Sequence, residues 1–126
     1  MIRYKYDRSL TPPAPFVNVT LRNYATGARI EDFPAQVDPG ADRTVLPEAI
    51  VKALELPQTD VLMIAGLGGL ASHLPAYMVH VSVHTYPGKL VKIVATSGEA
   101  WAILGRDTLN SYRILLDGPQ LALEIE

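Results

Sequence analysis

The stretch Phe33-Pro34-Ala35-Gln36-Val37-Asp38-Pro39-Gly40-Ala41-Asp42-Arg43-Thr44-Val45-Leu46-Pro47 decides how the rest of this chain is read. Its first half reads as a strand that delivers one acid, Asp38, into a tight Pro-Gly turn, and an apolar run then leads away. A carboxylate at a strand end on a turn is presented rigidly. Taken alone, Asp-Pro-Gly is a β-turn, because Pro and Gly supply the dihedrals that turns require. Two later stretches change that reading: Met63-Ile64-Ala65-Gly66-Leu67-Gly68-Gly69 and Ile103-Leu104-Gly105-Arg106-Asp107.

Immediately upstream, Phe16-Val17-Asn18-Val19-Thr20-Leu21 alternates apolar and polar residues, the mark of a half-buried strand. Tyr24 to Gly27 supplies a turn, and Ala28 to Asp38 returns as a second strand, so the hairpin ends on the acid. Immediately downstream, Pro47 to Leu56 is a short helix candidate with Pro in its first turn and Ile50, Val51 and Leu54 on one face. Pro57 ends it.

Val61 to Ala65 reads as a strand running into the glycines. A phosphate-binding loop would need those glycines to open a helix whose amides face the anion. Instead the chain continues into Tyr77 to His84, which alternates like a strand, and no Lys-Ser/Thr pair follows the glycines. The pattern is therefore a hairpin with a glycine tip, where Gly permits positive φ and hinge motion. A mobile hairpin near an acid can serve as a lid over a neighbouring site.

Leu90 to Ala95 and Ala100 to Leu104 are further strands, 106 to 112 fits a short helix, and 113 to 117 and 121 to 126 read as closing strands. Residues 1–14, with Thr11-Pro12-Pro13-Ala14-Pro15, form an extended arm, either packed on a neighbouring chain or loose. Residues 15–126 form the single folded domain. The expected fold is all-β, a barrel-like lobe with two short helices.

Bulk properties bound the function. The 126 residues are 48% hydrophobic and 19% charged, which suits one folded domain. A formal charge of -2 gives no basic field for nucleic acid. Cysteine is absent, so disulfides and thiolate metal sites are excluded. His80 and His84 fall on one strand face but about 13 Å apart along extended chain, too far to share one metal ion. The charged start lacks the apolar core of a signal peptide, and no apolar run is long enough to span a bilayer. The expectation is a cytoplasmic protein with no cofactor, no metal, no nucleic-acid partner and no membrane partner.

In their order, the three stretches resemble the retropepsin-like aspartic proteases, the retroviral enzymes and their cellular and bacterial relatives. Asp38, Gly40 and Ala41 match the family's Asp-Thr/Ser-Gly-Ala motif, and Thr44-Val45-Leu46-Pro47 matches the strand after it. The glycine run resembles the flap, and Ile103 to Asp107 resembles the segment before the C-terminal helix. The resemblance spans roughly residues 15 to 126. It implies a homodimeric endopeptidase in which Asp38 is the catalytic residue of each copy. It further implies that Gly40, Ala41 and Asp42 bind substrate backbone and that Arg43 lines a side-chain pocket. Ala65, Gly66 and Leu67 would close over the peptide, Trp101 and Ile103 would wall apolar subsites, and Arg106 would brace the turn by pairing with Asp42.

Chemistry supports the need for a second chain. Carboxylate hydrolysis of a peptide takes two acids that share one proton around one water. The chain has one Asp-x-Gly turn followed by the right strand; Asp107 opens a helix and Asp117 lies in a late hairpin. One departure stands out: Pro39 occupies the family's Thr or Ser position and brings neither hydroxyl nor amide hydrogen. That departure opens the alternative of a catalytically weak module that binds peptides or mediates dimerisation. A third reading is an unrelated small β-barrel binding module.

Overall fold

Three apolar residues at alternate positions, Val17, Val19 and Leu21, start the barrel: all three are buried while Asn18 and Arg22 between and beside them are exposed. They lie on β2 (Phe16–Arg22), which pairs antiparallel with β3 (Arg29–Val37), so the expected hairpin forms and ends next to Asp38. The computed structural model describes residues 1–65 and 68–126.

The other elements follow in chain order. They are β4 (Val45–Pro47), α1 (Glu48–Ala53), β5 (Gln58–Ala65), β6 (Ala71–Val83), β7 (Lys89–Thr96), β8 (Ala102–Leu104), α2 (Arg106–Leu109), β9 (Ile114–Asp117) and β10 (Ala122–Ile125). The main sheet has the order β2-β3-β8-β4-β7-β6-β5, and β6 pairs back onto β2. Six strands thus close into a barrel, and β5 extends the sheet outward. Closure works because β6 is long: its first part, Ala71 to Tyr77, pairs with β5, whereas Ala76 to Val83 serves β7 and β2.

Side-chain alternation fills the barrel, as strand geometry requires. Leu21, Leu46, Val79, Val81, Val83, Ile93 and Leu104 are essentially inaccessible to solvent and form one cluster. Burial of each such side chain contributes about 1.5–3 kcal/mol. A second row faces the other way. Phe16, Gln36, Ile103, Val45, Val94 and Ala76 are successive cross-strand partners running over β2, β3, β8, β4, β7 and β6. Val94 and Ala76 are buried yet lie outside the central cluster.

Residues 1–14 do not form one extended arm: residues 8–12 turn back so that Asp7 bridges Ala14, and the first part belongs to this chain's own fold. Ile2–Lys5 form β1, which pairs with β10, and β10 also pairs with β9 in a three-stranded sheet. Ile2, Tyr4 and Tyr6 pack against the core cluster. Their alternation with Arg3, Lys5 and Asp7 is a strand signal that the charges hide. The helices are shorter than the sequence suggests: α1 spans six residues and α2 four, against expected spans of 47–56 and 106–112. Strand β6 starts earlier than Tyr77 and accommodates Pro75, because there it pairs with β5 and its pairing with β7 begins only at Ala76. Among the described residues no helix is long and apolar enough to cross a membrane.

Candidate active site

Asp38 follows the last residue of β3, where two bonds hold the chain in place. The Asp38 amide donates to the Leu104 carbonyl at 3.1 Å, and the Asp38 carbonyl accepts from the Ala41 amide at 3.1 Å, closing the turn. The carboxylate turns back over that turn: the Gly40 amide donates to Asp38 Oδ1 at 3.0 Å. A side chain at position 40 would press within 3.2 Å of that oxygen, so glycine leaves room for the acid.

The turn is braced from beneath by residues 104–108. The Arg106 amide donates to the Ala41 carbonyl at 2.8 Å, and Arg106 Nη1 donates to the Pro39 carbonyl at 2.8 Å. The expected Arg106–Asp42 pair is not formed among the described residues, where the guanidinium takes the Pro39 carbonyl instead and Asp42 is exposed. The reason is local. Arg106 is exposed at the start of α2 on the Pro39 side of the turn, and a charged donor binds a carbonyl well.

The acid that does brace the turn is Asp107. Its Oδ2 accepts from the Thr44 amide at 2.9 Å and its Oδ1 accepts from the Thr44 hydroxyl at 2.7 Å. Having one proton and giving it to the carboxylate, Thr44 Oγ1 must accept from Thr108 Oγ1 at 2.9 Å and from the Gly105 amide at 3.2 Å. Thr44 and Thr108 are both buried, so every polar atom of this knot needs its partner. The sequence offered a signal in Thr44 and Asp107 sitting inside the two flanking motifs. Reading Asp107 only as a helix opener missed it.

Gly105 shows how closely the two segments approach. A Cβ there would lie 2.5 Å from the Arg43 carbonyl carbon, 2.6 Å from its oxygen and 2.8 Å from its nitrogen. Its φ of -88° is open to any residue, so the demand for glycine is steric. Gly105→Ala is expected to destabilise the fold by about 1–3 kcal/mol, since backbone cannot swing aside. Gly98→Ala, where a Cβ meets nothing within 4 Å, serves as control. Equal urea midpoints for the two variants would show that the segments separate freely.

The remaining expected site residues that are described lie on or beside β4, β8 and the β5–β6 hairpin. Arg43 is half-buried and its Nη1 reaches the Lys92 carbonyl at 3.5 Å. Trp101 and Ile103 are half-buried, and the residues beside Ile103, Ala102 and Leu104, point into the core. Ile103 sits between Gln36 and Val45 in the outward row. Trp101 Nε1 donates to Gln36 Oε1 at 3.2 Å and its ring meets Phe16 edge-on at 5.5 Å. Gln36 and Phe16 were not singled out from the sequence.

Ala65 is exposed at the end of β5, paired with Ala71. Gly66 and Leu67 lie outside the described residues. Gly68 and Gly69 take φ of +86° and +79°, the left-handed backbone expected at a glycine tip. Val61, Met63 and Leu70 are exposed on this β5–β6 hairpin. At its base the Asp60 carboxyl is held below its ordinary range, first by the Val61 amide and then by the Lys92 ammonium at 3.3 Å. Among the described residues no cluster of ligating side chains suits a metal ion.

The profile of the family described as "Retroviral aspartyl protease" matches residues 12–117. This chain belongs to that family. Among solved structures it is similar to a retropepsin-like aspartic protease from Rickettsia conorii, at 16% identity over 98% of this chain and 89% of that one, with a TM-score of 0.60. The EIAV protease in complex with the inhibitor HBY-793 shares 21% identity over 78% of this chain and 86% of that one, with a TM-score of 0.56. The retroviral protease-like domain of Ddi1 from Leishmania major shares 15% identity over 90% of this chain and 88% of that one, with a TM-score of 0.56. At these identities the solved structures speak for the fold. No curated protein matches this chain. The retropepsin-like lobe was thus correctly read from the sequence.

Proposed function

We propose that the chain is an aspartic endopeptidase that works as a homodimer, with Asp38 of each copy forming one dyad at the two-fold axis. The observation that carries this reading is the clamped Asp38 turn in a member of the retroviral aspartyl protease family. A single lobe offers one such acid, so the second must come from a second copy. Two carboxylates that close cannot both ionise, and the pair holds one proton. The ionised member takes a proton from a water, the protonated member donates to the scissile carbonyl, and the resulting tetrahedral adduct collapses as the leaving amine is protonated. Aspartic proteases are among the general cases from which this logic is drawn.

The substrate is an extended peptide or protein. Its backbone lies against Gly40, Ala41 and Asp42, and its side chains meet Arg43, Trp101 and Ile103. The exposed apolar residues of the β5–β6 hairpin suit a flap that closes over it, with Ala65, Gly66 and Leu67 near the tip. The test is cleavage of a peptide library at mildly acidic pH, with and without a statine-type transition-state inhibitor, alongside sedimentation at micromolar concentration. Inhibitor-sensitive cleavage by a species of twice the chain mass is expected. A strict monomer, even with inhibitor, would sink the shared dyad.

Pro39 favours a second reading, a weakly active relative that uses the same groove to bind peptide. It is exposed, and its ring removes an amide hydrogen from the turn. Pro39→Thr returns one amide and one hydroxyl per chain for bonds across the axis, each worth about 0.5–1.5 kcal/mol. Dimer affinity is expected to rise by about one to two decades at 1.4 kcal/mol per decade. Turnover is expected to equal or exceed that of the Pro39 protein. Weaker dimers in sedimentation would mean that Pro39 makes an interface contact of its own.

A further inference from the structure

Away from the acid, the barrel wall carries an arrangement that peptide hydrolysis does not use. Arg29 and Arg22 are direct cross-strand partners between β3 and β2, and Arg22 and His80 are direct partners between β2 and β6. Three basic residues therefore stand in one row over three adjacent strands. Like charges directly opposite each other in a sheet are unfavourable. Only one acid offsets them: Glu31 lies 3.0 Å from Arg29, leaving Arg22 without a carboxylate among the described residues.

The row borders a depression of about 280 Å³, which Thr20, Ser82 and Tyr86 also line. Thr20 and Ser82 are themselves cross-strand partners, one step along from Arg22 and His80 on the same outward face. Part of the wall is fixed. Gly88 runs so close that a Cβ would lie 2.4 Å from the Val81 carbonyl oxygen, 2.6 Å from the His80 ring and 2.8 Å from Ser82 Cβ. The His80 ring is thus backed by main chain. Tyr86 is anchored by its hydroxyl, which donates to the Ile125 carbonyl at 3.0 Å. Set against this wall are two guanidinium forks on β2 and β3.

We infer that this depression binds a phosphoryl group, as free phosphate or as a small phosphomonoester. The lining is rich in donors: two guanidiniums, an imidazole and two hydroxyls. One fork satisfies a carboxylate, whereas a tetrahedral dianion has the oxygens and the charge to engage donors from three strands at once. The overall charge of -2 and the confinement of the row to one depression point to a small ligand, not a polyanion.

The test titrates the full chain with inorganic phosphate at constant ionic strength and follows the backbone amide resonances. Parallel arms use O-phosphoserine and, as the carboxylate control, acetate. Saturable shifts at Thr20 to Arg22, Arg29 and His80 to Ser82 are expected with phosphate, with phosphoserine or with both. The arm that binds tighter identifies the source of the phosphoryl group. Arg22→Gln, at an exposed position, is expected to weaken binding about ten- to a hundredfold, the equivalent of one lost charge-assisted bond. Arg29→Gln is expected to act in the same direction. Acetate binding as tightly as phosphate, shifts spread over unrelated lysines, or undiminished binding by both variants would overturn the assignment. Loss of peptidase activity bears on none of these outcomes.

Discussion

Asp38→Asn is expected to lower peptide-bond cleavage by at least about 10²–10⁴-fold, the usual contribution of general acid–base catalysis. In a symmetric dimer one substitution removes both acids, so no half-active dyad survives. The amide cannot take a proton from water as a carboxylate does. The local structure has no comparable reason to change. Asn keeps an oxygen at the place where Asp38 Oδ1 accepts the Gly40 amide, and the bonds to Leu104 and Ala41 involve main chain only. Unfolding is therefore expected to stay within about 1 kcal/mol of the unsubstituted protein, the centre of the range for single substitutions. The informative measurement pairs a cleavage assay with urea unfolding on the same preparation. Full cleavage by the Asn variant would place the chemistry elsewhere. Lost cleavage with a collapsed midpoint would make Asp38 structural.

The two properties separate because the site is built from two kinds of interaction. The proposed chemistry rests on the half-buried Asp38 carboxylate, whereas the turn that presents it is held by backbone bonds and by a buried polar knot. This division also explains what the sequence made legible. The β2–β3 hairpin ending on Asp38 was readable because a half-buried strand writes its geometry as alternation, and the glycine tip was readable because few other residues accept positive φ. The same logic reached the barrel, since closure follows from many short strands.

What stayed hidden depends on pairs of residues distant in sequence. The motif around Asp107 marks the residue but does not say that its carboxylate reaches Thr44, 63 positions away. Nothing around Arg106 says that it takes the Pro39 carbonyl in place of Asp42. A charged side chain near a turn has several partners within reach, and small differences in backbone direction choose among them. The strand β1 was hidden for another reason. Its outward charges make a short edge strand look like a loose arm, although charges on edge strands are a common protection against unwanted pairing. Asn23 was likewise unreadable. It is buried beside a predicted turn, and its Nδ2 donates to the Leu54 carbonyl at 2.9 Å, tying the hairpin to the end of α1.

Thr44→Val is expected to be the most costly single substitution in the site region, by about 2–4 kcal/mol. Val is close to Thr in shape, so no cavity forms and the transfer of an extra methyl is if anything favourable. The cost lies in what the hydroxyl was holding. Asp107 Oδ1 loses its 2.7 Å donor, while the Thr108 hydroxyl and the Gly105 amide lose their acceptor. The three groups are left beside a fully buried position, where water cannot replace the lost partner without opening the structure. The amide of residue 44 still donates to Asp107 Oδ2 at 2.9 Å, so the variant is expected to fold, with a lower urea midpoint and an unchanged slope. Because Gly105 and Arg106 underlie the acid turn, cleavage is expected to fall as well, through misplacement of Asp38. Thr44→Ser separates the hydroxyl from the methyl. It keeps every bond of the knot and gives up one buried methyl, at about 1 kcal/mol. If Ser is as damaging as Val, packing holds the turn and the hydrogen-bonded knot contributes nothing. If Val is as stable as the unsubstituted protein, the Asp107 carboxylate has found solvent, and the turn is clamped by backbone bonds alone.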